Sequence, residues 1–236
     1  MASGGMHLSK EFFELLKAIG ESKSKQEEDR IVSREVSRLK QKLEPAVSAS
    51  TTPGSPAVPN SMWSSKKRTK EFLVRRLYIE MLGHDGSFGY IKAVELAASA
   101  SLCHKRTGYL VCASCLPPDH EFRFMLVNQM QRDLQSPNVL ECSGGLIACI
   151  SIITSDMVPA VSNEVTKLLQ HESATIRKKA IIALHRFHQL APEAVLDTEL
   201  QEHLRKLLCD KDPSVMGSSL NVMEALSLTN PVPFKD

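Results

Sequence analysis

Cys112 and Cys115 stand at the C-x-x-C spacing that redox centres and zinc sites use. A zinc site needs a second ligand pair at suitable spacing, and a thioredoxin-type centre needs a strand ahead of its helix. Neither accompanies this pair. Within Tyr109-Leu-Val-Cys-Ala-Ser-Cys-Leu116 the two thiols fit the buried side of a helix. Gly83-His-Asp-Gly-Ser-Phe-Gly89 has three glycines but lacks the Lys-Ser/Thr pair of a phosphate-binding loop, so it is read as a tight turn between helices. Asp119-His120-Glu121 has the residue types of an acid–base cluster. Acidic residues are also favoured in a first helical turn by the helix dipole, and that reading is preferred. No catalytic residue, metal-ligand set or cofactor is expected.

Two basic groups remain. Lys66, Lys67, Arg68 and Lys70, followed by Arg75 and Arg76, open one helical stretch, and Arg177 to Lys179 open another. Such groups suit phosphate or anionic-lipid recognition, and they are equally the make-up of a solvated helix face. Clustered positive charge at a helix N-terminus opposes the dipole, which hints at a purpose beyond solvation. The net charge of +2 creates no strong whole-molecule field, so only local patches can attract anions.

The elements that carry these residues are helical by composition: 42% hydrophobic, 5% aromatic and only 11 glycines in 236 residues. After a disordered start at 1–8, residues 9–43 read as two helices. Ser24 and Glu27 form a capping box for the second, which carries a stripe of Val32, Val36, Leu39 and Leu43. Residues 44–66, rich in Ser and Pro, bury too little apolar surface to offset their ordering entropy and are expected to be a flexible insertion. Trp63 near its end is either a short docking anchor or a residue packing on the following helix, and the second reading is preferred. Helices resume at about Lys67, with an apolar face of Val74, Leu77, Tyr78, Met81 and Leu82 that stops at Gly83.

From there to 229 apolar helices alternate with short polar breaks, before a tail at 230–236. Ser136-Pro137 and Asp212-Pro213 place a capping side chain before a proline at the first helical position. Leu102, Val139, Ile176 and Val215 each sit just inside a helix start, 37, 37 and 39 residues apart. A period near 40 with two helices per unit is the signature of a right-handed α-solenoid of HEAT/armadillo-like pairs. The clearest unit is 173–190, with Ile176, Ala180, Ala183, Leu184, Phe187 and Leu190 on one side, and Arg177, Lys178, His185 and Gln189 on the other. The six cysteines are expected to be reduced, buried thiols of a cytosolic protein. No apolar stretch reaches the roughly 18 to 20 residues of a membrane span, so membrane contact is expected to be peripheral.

Several blocks resemble the large-subunit adaptins of vesicle-coat adaptor complexes. They are Arg76-Leu-Tyr-Ile-Glu-Met-Leu-Gly-His-Asp-Gly-Ser-Phe-Gly-Tyr90, Lys105-Arg-Thr-Gly-Tyr-Leu110, Asp119-His-Glu121 and Arg177-Lys-Lys-Ala-Ile-Ile-Ala-Leu-His-Arg-Phe-His188. Glu11-Phe-Phe-Glu-Leu-Leu-Lys-Ala-Ile-Gly20 and Leu208-Cys-Asp-Lys-Asp-Pro-Ser-Val-Met-Gly217 point to the epsilon-type subfamily in its plant-like form. The resemblance implies a solenoid trunk in a heterotetramer with beta-type large, medium and small adaptor subunits. It also implies cytoplasmic residence, peripheral on the trans-Golgi network and coated vesicles, and recruitment by an Arf-family GTPase in its GTP state, with no nucleic acid bound. By the same resemblance, Lys66, Lys67, Arg68 and Lys70 are candidates for anionic lipid, and Ile91, Val94 and Glu95 for the GTPase. Family trunks run several hundred residues further, so the chain is expected to be a truncated piece with an uncapped apolar end. The alternatives are a helical-repeat scaffold unrelated to coats and, resting on Cys112/Cys115 and Asp119/His120 alone, an enzyme.

Overall fold

A computed structural model describes residues 9–43, 59–194 and 198–229, all of whose regular structure is helical. The expected disordered start, residues 44–58 of the insertion, and the tail at 230–236 lie outside the described residues, as do the side chains of 59–66, among them Trp63. The chain divides into two compact units, 1–116 and 117–236.

The first unit contains α1 (Lys10–Gly20), α2 (Lys25–Leu43), α3 (Pro59–Met81), α4 (Tyr90–Ala97) and α5 (Leu102–Cys115). Ser9 caps α1 by accepting the Phe12 N–H at 3.2 Å. At α2 the Ser24 hydroxyl accepts the Glu27 N–H, while the Glu27 carboxylate takes the N–H of Lys23 rather than that of Ser24. The box thus closes one residue further out. Val32 and Leu39 are fully buried against Ile79 of α3, with Ile19, Val36, Phe72, Leu82 and Phe88 packed around them. Phe12 meets Tyr78 edge to face at 5.8 Å.

Two expectations for α3 are corrected. The helix starts at Pro59, so residues 59–66, assigned to the flexible insertion, are its first turns. Its interior face is Leu73, Arg75, Arg76 and Ile79, whereas Met81 is 77% exposed and Val74, Leu77 and Tyr78 are half-buried. The stripe is rotated by about one residue because two arginines point inward, and a hydrophobic pattern counts them as surface. Gly83, with φ +89°, ends α3; its N–H and that of His84 bond back to Glu80 and Ile79.

The second unit contains α6 (Phe122–Leu134), α7 (Val139–Ile152), α8 (Val158–Lys167), α9 (Ala174–Leu190), α10 (Thr198–Leu207) and α11 (Pro213–Thr229). Within it α7 packs on α9 and α9 on α11, the stacking of a solenoid's helix pairs. α9 is its centre: Ile176, Ala180, Ile181, Ala183, Leu184 and Phe187 are buried.

The repeat register is also adjusted, because the starts of α5, α7, α9 and α11 lie 37, 35 and 39 residues apart. Ile176 and Val215 sit inside the first turn and are fully buried, whereas Val139 is the first residue of its helix and 39% exposed. The four aliphatic residues are therefore not equivalent. Asp212-Pro213 opens α11 as expected, with the carboxylate accepting the Ser214 N–H at 2.8 Å. Pro137, by contrast, precedes α7, whose cap is Asn138, bonded to the Leu140 N–H at 3.0 Å.

Candidate functional site

The basic stretch of α3 divides into an outer and an inner set. Lys67 and Arg68 are exposed and Lys70 is half-buried; the side chain of Lys66 lies outside the described residues. Arg68 lines an open groove of about 540 Å³ with Ser9, Lys10 and Glu11 of the α1 start, Lys42 of the α2 end, and Glu71 and Phe72 of α3. The fold thus adds Lys10 and Lys42 to the basic stretch, from positions that no local spacing connects to it. Lys42 Nζ lies 3.1 Å from Glu11 and 5.2 Å from the centre of the Phe72 ring. Three cations against two carboxylates leave the groove lining with an excess positive charge. Hydrogen bonds from Arg75 and then Lys42 hold the Glu11 carboxyl below its ordinary range, so it is ionised at neutral pH.

Arg75 and Arg76, which continue the run in sequence, are 2% and 0% exposed and do not belong to this surface. Arg75 pairs with the buried Glu35 of α2 and reaches Glu11 at 2.8 Å and Glu71 at 3.4 Å. One guanidinium therefore ties α1, α2 and α3 together, and the planar fork of arginine suits it to several carboxylates at once.

Arg76 explains the glycine-rich block. Its Nε donates to the Gly86 carbonyl, its Nη2 pairs with Glu80, and its guanidinium lies 4.6 Å from the centre of the Tyr90 ring. Tyr90 in turn donates to Glu80 at 3.0 Å. A Cβ at Gly89 would stand 2.6 Å from Arg76 Cδ, and one at Gly86 2.8 Å from Glu80 Oε2. The two glycines make room for the buried Arg76 and its half-buried partner Glu80, and the block has a packing role. Cys115 of the C-x-x-C pair borders this pocket, where burial pushes its thiol up to about 12. Cys112 is fully buried, so both occupy the helix's inner side. Cys103 and Cys209, expected to be buried, are exposed, because each sits on an outward position or beyond a helix end.

On α4, Ile91 is 38% exposed and Glu95 is exposed and paired with Lys92 at 2.8 Å. Val94 is 8% exposed and lies with Ala93, Leu96 and Ala97 on the helix's inner face, so its assignment to partner contact is withdrawn. Asp119, His120 and Glu121 precede α6 rather than forming its first turn. His120 Nδ1 accepts the Phe122 N–H at 3.2 Å, a capping contact made by a ring nitrogen.

Residues 54–233 match the adaptin N-terminal region. The chain belongs to that family. This adaptin is 45% identical over 219 residues to an AP-4 complex subunit epsilon of Arabidopsis thaliana, covering 93% of the chain and 21% of the relative. It is 38% identical over 222 residues to the AP-4 complex subunit epsilon-1 of Homo sapiens, covering 94% and 18%. The adaptin described here thus spans about a fifth of the length of the curated relatives it matches. A chain in a homology model of the full-length AP-3 complex in an intermediate open conformation superposes with a TM-score of 0.61 at 27% identity, covering 71% of this chain and 29% of that one. An engineered protein matches 93% of the chain at a TM-score of 0.55 and 14% identity, a likeness of fold alone.

Proposed function

We propose that this adaptin works without catalysis, as the solenoid trunk segment of an epsilon-type large subunit in a heterotetrameric coat adaptor for vesicle-mediated protein transport. The observation that carries this reading is the alignment of more than nine-tenths of the chain with AP-4 epsilon subunits of plant and animal origin. On this reading its partners are a beta-type large subunit, a medium subunit and a small subunit. It acts at the trans-Golgi network, recruited by an Arf-family GTPase in its GTP state, with Ile91 and Glu95 as contact positions. Among the described residues no helix is long and apolar enough to cross a membrane, so attachment is peripheral on this reading.

Lys66, Lys67, Arg68 and Lys70 bind anionic headgroups, joined by Lys10 and Lys42 across the groove. Clustered basic side chains suit this because each contributes about 1 kcal/mol near an anionic surface. The test of the assembly is affinity purification of the tagged chain from its own cells. Recovery of beta-type, medium and small adaptor subunits is expected; recovery of none of them by a chain with a native helical spectrum counts against it. For the groove, sedimentation with phosphoinositide-containing vesicles should fall when Lys66, Lys67, Arg68 and Lys70 are all changed to Glu. Unchanged sedimentation removes the lipid assignment and leaves the assembly reading intact.

A further inference from the structure

In the second unit the outer face of the α7–α9 layer is apolar where a solvated helix surface is ordinarily polar. Leu140 is 63% exposed and Ile147 49% on α7, and Ile182 is 40% exposed on α9. The Lys179 ammonium bonds to the Ser143 hydroxyl, which joins the early turns of the two helices side by side. Ile147 is one turn beyond Ser143 and Ile182 one turn beyond Lys179, so the two isoleucines lie on the same outward side. Gly144 falls between Leu140 and Ile147 on that side, with nothing within 4 Å of where a Cβ would stand. The stripe therefore has a notch that can admit an incoming side chain. The charge of this face is positive: Lys179 and the exposed Arg186 accompany Ile182, and α9 contains no acidic residue at all.

We infer that the α7–α9 face docks an amphipathic helix of another polypeptide, whose aliphatic ridge seats on Leu140, Ile147 and Ile182 and whose flanking Asp and Glu meet Lys179 and Arg186. An aliphatic stripe broken by a notch and edged on one side by cations favours a ridged, acidic helix over a lipid surface. A bilayer offers no ridge to enter the notch. This inference stands on the second unit alone and does not depend on the coat reading.

The test uses the whole chain and a fluorescein-labelled synthetic helix of roughly 18 residues, with leucines at i, i+4, i+7 and i+11 flanked by glutamates. A twin carries lysine at every glutamate. By anisotropy at about 50 mM salt the acidic helix should bind at least about tenfold tighter than its twin, with the difference shrinking at about 0.5 M. Ile147→Asp with Ile182→Asp should weaken it by about tenfold or more. Arg186→Glu, a change at an exposed residue that donates to Gln189, should weaken it severalfold and serves if the double variant loses its helical spectrum. Equal binding of the two helices, binding of neither, or native affinity in a folded double variant overturns the inference. So does sedimentation with phosphatidylserine vesicles that these substitutions abolish, an outcome that assigns the face to membrane.

Discussion

Arg75 keeps its charge out of water only because three carboxylates on three helices surround it. Truncating one partner of such a buried pair leaves the other charge unsolvated, a loss of about 3–5 kcal/mol. Arg75→Ala should lower the unfolding free energy in urea titrations by that amount, and adding Glu35→Leu should recover part of it, because the orphaned charge is then gone. A loss below about 1 kcal/mol for the single change would mean that Glu35 finds water. Gly89→Ala tests the second arginine. The new methyl would meet Arg76 Cδ at 2.6 Å, and overpacking of this kind costs about 1–3 kcal/mol. The melting temperature should drop for Gly89→Ala and rise slightly for Gly144→Ala, whose added methyl meets open space in the interior of a helix. These residue roles were half legible. The glycine block was visible as a turn, but the reason for it was not, because Arg76 looks like surface in any pattern that scores arginine as polar. The groove was illegible for a different reason: Lys10 and Lys42 reach Arg68 only through the packing of α1 and α2 on α3.

At the scale of elements the consecutive layers of the second unit are fastened by charge as well as by apolar contact. Arg177, on α9, takes both oxygens of Asp210, just after α10, at 2.7 Å each, and also donates to the carbonyls of His171 and Glu172. The Arg177 hydrogen bonds hold the Asp210 carboxyl below the ordinary carboxylate range. The folded state thus binds its proton less readily than the unfolded chain. The stabilisation is complete above the unfolded value, roughly 4, and is lost as pH falls through the lower folded value. Asp210→Asn should cost about 2 kcal/mol at pH 7, as a charged hydrogen bond does. The gap between wild type and variant in denaturant titrations should close at acid pH; a gap that stays constant to pH 2 would assign the loss to packing. Helix starts are readable at Ser24 and Asp212, where the local cap and the expected start coincide, but not at α7, where Asn138 beyond Pro137 takes the cap from Ser136. The repeat register differs by two residues at α9, which starts at Ala174 rather than Ile176. An aliphatic residue near a helix start is buried when it falls in the first turn's inner position, as Ile176 and Val215 do, and at least partly exposed when it is the first residue, as Leu102 and Val139 are, and the sequence marks both alike.

For the whole molecule the division into two compact units has a readout in the thiols. Cys112 and Cys115 are buried in the first unit and Cys142 and Cys149 in the second, while Cys103 and Cys209 are exposed. The nucleophile is the thiolate, and at pH 8 a thiol pushed up to about 12, as Cys115 and Cys149 are by burial, is ionised in roughly one molecule in ten thousand. A disulfide reagent should therefore titrate two thiols quickly in the native chain, and the remaining four only as denaturant opens the helices. The order of that opening tests how far stability is carried by nearest neighbours, as in stacked repeats. Gly108 lets α5 lie directly on α4, and a side chain there would collide with the Ala97 backbone. Gly108→Val should consequently bring the labelling of Cys112 and Cys115 to lower urea while leaving the Cys142 and Cys149 transition in place. If all four shift together, the two units unfold as one cooperative body, and the stability of either is a property of both.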